Sequence, residues 1–383
     1  MTATPSNPAP IAQPKPPRVL VYLPSWVGDT VMATPAIALL RHRLPRSIIM
    51  GLGRTGAAEL LSGMDELLDE VIEADGRSAV GPAKVAGRLR PMRIDAALIL
   101  PNSFSSAMAV RLSGIAIRVG YDRDSRGLLL THRLTPAKRT SPKWANPGAW
   151  EPVSAVDYYL AAAHTLLDAL DLPPPTEPGP PVKLELGTTR GQEHLADDVL
   201  SLARIGRDEP FALLNPGGNN PAKRWPVERF AAVAHHLIST RKMKVAINGA
   251  PSEKELCALI AQAITLNHPE DESMVSCLPE LGGTIGSLKA ITRRARLMLT
   301  NDTGPRHVAA AFGTPCVTLF GPTDPRWTTL PESFTKPGVP REVILVSDPT
   351  LPASEVADDH PERCRIENIT TQSVIDAVER VLR

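Results

Sequence analysis

Short, mainly apolar runs separated by stretches of helical period set the pattern of this chain. Val19-Leu20-Val21-Tyr22-Leu23 is such a run, and residues 94–100, 211–214, 244–248, 297–299 and 316–320 repeat it. Runs of this length without polar alternation mark strands buried on both faces of a parallel sheet. Between them, apolar positions fall at helical spacing: Val31, Ile37 and Leu40 within residues 30–43, then residues 57–68, 155–170, 193–203 and 227–239, the Ala-rich segment after Pro305, and an amphipathic tail over 370–383. Residues 47–50 read as one more strand. Strands alternating with helices in both halves predict an α/β protein of two doubly wound, Rossmann-like sheets. Ligands of such sheets lie beyond the carboxyl ends of the strands, so the strand-to-helix loops are the places to look for chemistry.

Two breaks in the pattern divide the chain. Residues 1–17, rich in Pro, Ala and polar side chains, read as a disordered lead, and residues 172–181, with six prolines, read as a stiff linker. Structured segments are then expected over 18–171 and 182–369, with the 370–383 helix packing back across the junction. A hydrophobic fraction of 43% over 383 residues supports a large core and about two domains. The net charge of +1 gives no case for a nucleic-acid binder. The four cysteines form no C-x-x-C pair and no metal-ligand spacing, which predicts a reducing compartment and no structural zinc. No apolar stretch approaches the roughly 18 residues of a membrane span, so the expectation is a soluble, cytoplasmic protein.

The loops carry the candidate chemistry. Thr300-Asn301-Asp302-Thr303-Gly304-Pro305 joins a strand to a helix, with Pro305 suited to a first helical position. Free N–H groups and the positive dipole end at such a mouth favour a phosphate, which Gly304 lets approach; the plainer reading of Asp302 is a cap. Residues 215–226 form a Gly-rich loop bearing Lys223 and Arg224, a plausible diphosphate cradle or a solvated loop with Trp225 packed on the next helix. Asp29 opens a helix after the first strand, as a base or as an N-cap. The Asn102-Ser103 loop suits hydroxyl groups. Residues 111–143 are locally basic, with Arg118, Arg123 and Arg126 among eight cations, either a solvated face or a seat for a phosphorylated or carboxylated acceptor, or for an anionic membrane surface. Asp122-Arg123-Asp124 has the carboxylate spacing of some metal sites but follows no strand and is flanked by arginines, so no metal is assigned. Gly51, Gly53 and Gly56 satisfy G-x-G-x-x-G and predict, in isolation, a dinucleotide site. That motif follows the second strand rather than the first.

Together, Pro24-Ser25-Trp26-Val27-Gly28-Asp29, Leu100-Pro101-Asn102-Ser103-Phe104, Arg118-Val119-Gly120-Tyr121, the 221–226 segment, and Asn301-Asp302-Thr303-Gly304 with His307-Val308-Ala309-Ala310-Ala311 resemble the ADP-heptose:lipopolysaccharide heptosyltransferases. The resemblance implies a GT-B fold of two facing domains, the acceptor on 18–171 and the nucleotide sugar on 182–369. It implies ADP-heptose as donor and a lipid-linked, anionic lipopolysaccharide inner core as acceptor, with inversion at the anomeric carbon, no metal or other cofactor, and peripheral contact with the cytoplasmic face of the inner membrane. Asp29 is implied as general base, Lys223 at the diphosphate, Asp302 at the donor heptose, Thr303, Gly304 and His307 at the phosphate site, and Glu253 near the ribose. Asn102, Ser103, Arg118, Arg123 and Arg126 are the candidate acceptor residues. Two stretches depart from the family pattern, residues 282–286 and the loop at Arg54. The other readings are the same fold with a different donor or acceptor, a nicotinamide-dependent oxidoreductase built on residues 51–56, and a catalytically silent sugar-nucleotide binder.

Overall fold

The computed structural model describes residues 15–74, 80–139, 150–332, 334, 341–352 and 354–383; Lys143 and most of the expected lead lie outside them. The first half runs β1 (Arg18–Tyr22), α1 (Val27–Met32), α2 (Thr34–Arg43), β2 (Ile48–Gly53), α3 (Thr55–Leu61), β3 (Glu70–Glu73), α4 (Gly81–Leu89), β4 (Ala96–Ile99), α5 (Phe104–Ser113), β5 (Ile117–Tyr121), β6 (His132–Leu134) and α6 (Ala155–Ala169). The second runs α7 (Arg190–Leu202), β7 (Phe211–Asn215), α8 (Val227–Arg241), β8 (Lys244–Ile247), α9 (Lys254–Asn267), β9 (Val275–Cys277), α10 (Ile285–Arg294), β10 (Leu297–Asn301), α11 (Gly304–Phe312), β11 (Cys316–Phe320), β12 (Glu342–Val346) and α12 (Thr371–Val381).

Each half forms a six-stranded sheet, in the orders β3-β2-β1-β4-β5-β6 and β12-β11-β10-β7-β8-β9. Every strand pair is parallel, with Val21 facing Gly51 and Leu98 in one sheet and Leu299 facing Leu214 and Val317 in the other. Renumbered from its own first strand, the second sheet has the same order as the first. In both, the chain reverses direction across the sheet between the first and fourth strands, which opens a crevice at their carboxyl ends. Those crevices lie at β1/β4 and β7/β10.

The apolar runs became the central strands because neither face meets water: Val19, Leu20, Val21, Leu297, Met298 and Leu299 are all fully buried. The edge strands escaped the sequence reading. β3 (Glu-Val-Ile-Glu) and β6 (His-Arg-Leu) are short, carry exposed charge and read locally as loops. The expected helix over 57–68 stops at Leu61, since Ser62 is extended and Gly63 takes a φ of +86°, a conformation that excludes most side chains. The expected helix over 30–43 starts at Val27 and breaks at Ala33, one residue before the Thr34-Pro35 start of α2.

The dinucleotide reading fails on register. Gly51 and Gly53 pair inside β2, with Val71 and Glu73 of β3 opposite, and are not the loop that a pyrophosphate would need. The tail helix also differs from expectation. Val374, Ala377, Val378 and Val381 of α12 join the second sheet's core with Trp225, Val317 and Leu319 rather than packing on the first half. Its apolar stripe is covered by its own sheet. Past the Pro-rich linker the chain still follows the first half: Leu184 is buried in its core, and the Glu185 N–H donates to Thr34 Oγ1 at 3.1 Å.

The halves meet along two seams. Val308 and Ala310 of α11, with Leu330 and Phe334, enter the apolar core of the first half. At the second seam, Glu59 of α3 accepts from the Gly286 N–H and Thr284 Oγ1 at the start of α10, both at 2.8 Å. Lys289 of α10 donates in return to the carbonyls of Leu60 and Ser62, both at 2.8 Å. The Gly-rich 282–286 stretch is thus part of the joint between the halves.

Candidate active site

Both crevices carry charged groups, and the folding of the two halves brings these together. Asp29 sits in the first turn of α1, which no side chain caps. Its Oδ1 accepts a hydrogen bond from the buried Tyr159 hydroxyl of α6 at 3.1 Å. Burial raises the Asp29 carboxyl above the usual carboxylate range, and nearby Asp302 adds to this; the Tyr159 hydrogen bond and Lys223 pull in the opposite direction. A half-buried carboxylate tuned upward, with one oxygen anchored and the other uncommitted, is suited to take a proton.

Across from it, Lys223 Nζ meets Asp302 Oδ2 at 2.8 Å, with the Asp302 side chain 5% exposed and that of Lys223 25% exposed. Thr328 Oγ1 donates to Asp302 Oδ1 at 3.4 Å, and Arg306, fully buried, donates to Thr328 and to Glu342. Asn215, the polar end of β7, donates to Thr300 Oγ1 and Thr303 Oγ1 at 3.2 and 3.1 Å, and its side-chain Oδ1 accepts from Asn248 Nδ2 at 2.7 Å. Thr303 therefore serves this network and leaves the mouth of α11 without a side-chain cap. Glu253 accepts from the N–H groups of Gly218 and Ala250 at 2.7 and 2.9 Å, so its carboxylate shapes the Gly-rich loop beside Lys223.

Gly304 opens α11, and with His307 it also lies against α1. A Cβ on Gly304 would lie 2.9 Å from Val27 Cβ, and one on Gly28 would lie 2.7 Å from His307 Cδ2. These glycines let α1 and α11 touch across the seam. The His307 ring is 2% exposed, and burial, then the charges of Arg306 and Lys223, hold its pKa well below the usual range. The buried ring at the seam thus favours its neutral form.

The acceptor candidates separate into scaffold and surface. Arg118 is 8% exposed and donates to the carbonyls of Leu129, Ile115 and Ala116. Arg126 is 0% exposed, donates to the carbonyls of Tyr121 and Pro101 and to Asn102 Oδ1, and is pushed down to about 10 by burial. Both guanidiniums are committed inside the fold, a correction to their reading as acceptor ligands. Arg139 pairs with Asp359 at 2.6 Å, and Arg123 stacks over Trp150 at 4.6 Å, so the basic stretch is largely bound to the protein itself. Asn102 also accepts from Tyr158 at 3.1 Å, while Ser103 caps α5 and keeps an exposed hydroxyl. Among the described residues, one group with metal-ligand spacing occurs, His235, His268 and Glu270, and it shares no residue with this cleft.

Sequence reasoning missed Tyr159, Thr328 and Asn215. Only Asn215 left a local signal, a polar residue closing a buried strand.

The family model for glycosyltransferase family 9 (heptosyltransferase) matches residues 83–351. A lipopolysaccharide heptosyltransferase 2 of Escherichia coli is 30% identical over 320 residues, covering 81% of this chain and 84% of that protein. The chain belongs to glycosyltransferase family 9. A lipooligosaccharide heptosyltransferase 2 of Haemophilus influenzae is 29% identical over 316 residues, 81% of this chain and 85% of that one. The solved structure of E. coli ADP-heptose lps heptosyltransferase II superposes with a TM-score of 0.71 at 26% identity, over 95% of this chain and 98% of that chain. The two facing parallel sheets are the GT-B arrangement, and the protein is a glycosyltransferase. No described helix is long and apolar enough to cross a membrane.

Proposed function

We propose that this family 9 enzyme moves heptose from ADP-heptose to the inner core of lipopolysaccharide, as the heptosyltransferases II do, with inversion and without a metal. One observation carries the reading: the upward-tuned carboxylate of Asp29 faces the Lys223–Asp302 pair across the domain cleft. The acceptor hydroxyl oxygen attacks the anomeric carbon as its proton passes to Asp29 Oδ2, the oxygen that Tyr159 does not hold. The bond from that carbon to the β-phosphate oxygen breaks, and its electron pair leaves with ADP. Lys223 and the open N–H groups of α11 meet the growing diphosphate charge. Asp302 is then available to the donor heptose, and Glu253 holds the loop at the nucleotide in shape.

In this reading residues 18–171 hold the acceptor and the second half holds the donor. Trp26, Phe104 and Leu128, 63%, 47% and 91% exposed, follow the adjacent strands β1, β4 and β5, and they support peripheral contact with the lipid surface that bears the acceptor.

The test is heptose transfer from ADP-heptose by native, Asp29→Asn and Lys223→Ala proteins, with ADP binding by calorimetry. Asp29→Asn is expected to lose at least about 100-fold in turnover, the scale of a general base, while keeping ADP affinity within about threefold. Lys223→Ala is expected to weaken both. An Asp29→Asn enzyme turning over at the native rate overturns the assignment.

A further inference from the structure

The Gly-rich stretch at 51–56 holds no dinucleotide, yet its strand delivers Arg54 to the carboxyl edge of the first sheet, next to β1. Arg54 is half-buried, and among the described residues its guanidinium has neither an ion pair nor a hydrogen bond. The other half-buried and buried arginines at this edge are engaged, Arg126 with carbonyls and Arg123 over Trp150. A guanidinium drawn partly out of water without a partner is costly unless something external binds it.

Arg54 lines a cavity of ≈ 50 Å³ together with Tyr22 and the serines Ser25, Ser103, Ser105 and Ser106, over a floor that includes Leu23. That is several times the space one water needs, about 10–15 Å³. Among the described residues that line it there is no carboxylate, and they present one cation and several hydroxyls. Its position is also informative. Ser25 stands four residues before Asp29 on the β1 loop, and the serines of 103–106 come from the β4 loop, so the cavity occupies the crevice of the first sheet beside the proposed base.

Resting on the heptose-transfer reading, we propose that Arg54, with the hydroxyls of Ser25, Ser103 and Ser105, binds an anionic group of the acceptor sugar. The group is a carboxylate or a phosphate ester, held by the guanidinium fork, with the serines bonding it and the flanking hydroxyls. Arg54 is thereby a determinant of acceptor choice and takes no part in donor binding or proton transfer.

The experiment measures acceptor and donor KM for native, Arg54→Ala and Arg54→Lys proteins, with intact, carboxyl-reduced and dephosphorylated lipopolysaccharide acceptors. Native turnover of the intact acceptor tests the transfer reading by itself, and its absence sinks that reading, not this subsite alone. Given turnover, Arg54→Ala is expected to raise acceptor KM about ten- to hundredfold, the scale of a lost charged hydrogen bond, with donor KM unchanged. Arg54→Lys is expected to recover part of the loss. The native enzyme is expected to discriminate against one of the two neutralised acceptors, which identifies carboxylate or phosphate, and Arg54→Ala is expected to lose that discrimination. An unchanged acceptor KM in Arg54→Ala, an equal rise in donor KM, or a native enzyme indifferent to both neutralised acceptors overturns the proposal.

Discussion

The Asp29–Tyr159 pair sets the acid limb of activity. The working form of Asp29 is the carboxylate, so kcat/KM falls as pH drops through its raised pKa. The phenol hydrogen bond favours that carboxylate. Tyr159→Phe removes the donor and lets the pKa climb further, so the acid limb of the pH–rate profile is expected to move to higher pH, with the plateau rate changed less than the limb. An acid limb that stays in place would show that Tyr159 only packs. The two members of this pair were not equally legible. Asp29 opens a helix after a recognisable strand, whereas Tyr159 lies 130 residues away in an amphipathic helix, where its spacing reads as core. Arg118 and Arg126 illustrate the opposite error. A run of cations looks the same in sequence whether solvent or backbone carbonyls receive the guanidiniums, and only the fold of β5 and the loop after it decides.

Helices α3 and α10 satisfy each other's ends. Glu59 takes the orphan N–H at the start of α10, and Lys289 fills orphan carbonyls at the end of α3. Glu59→Ala is expected to cost about 1–2 kcal/mol in urea denaturation, through loss of the charged hydrogen bonds from the Thr284 hydroxyl and the Gly286 N–H, the latter keeping only its bond to Thr284 Oγ1. Burial pushes the Lys289 ammonium down from its usual 10.5 to about 8. Between those values the unfolded chain binds the proton and the folded one does not, so this residue's contribution to stability rises with pH across that window. Lys289→Met is expected to flatten that part of the stability–pH curve, and an unchanged curve would rule out a buried, downshifted ammonium. At this scale the central strands were readable from burial on both faces. The joint was not, because Gly282-Gly283-Thr284 carries only a capping signal and its partner Glu59 comes from the other half of the chain.

Two sheets of identical strand order, each with its crevice at the first and fourth strands, make one site only if they face each other at the right distance. The α1–α11 contact sets that distance. Within α1 alone, Gly28→Ala should strengthen the helix by roughly 0.5–1 kcal/mol, because glycine is the poorer helix former. Across the seam, the added Cβ meets His307 Cδ2 at 2.7 Å, too close for the two helices to keep their approach. The same substitution is therefore favourable to one half and unfavourable to the closed pair. If the seam positions Asp29 against the donor, Gly28→Ala is expected to lower kcat by about 100-fold, the cost of a misplacement near 1 Å, while thermal stability stays near native. ADP affinity is expected to hold within about threefold, since Lys223 and the loop shaped by Glu253 belong entirely to the second half. Normal turnover in that variant would mean that the halves close by some other contact, and a collapse of ADP affinity would mean that the nucleotide reaches across the seam to α1.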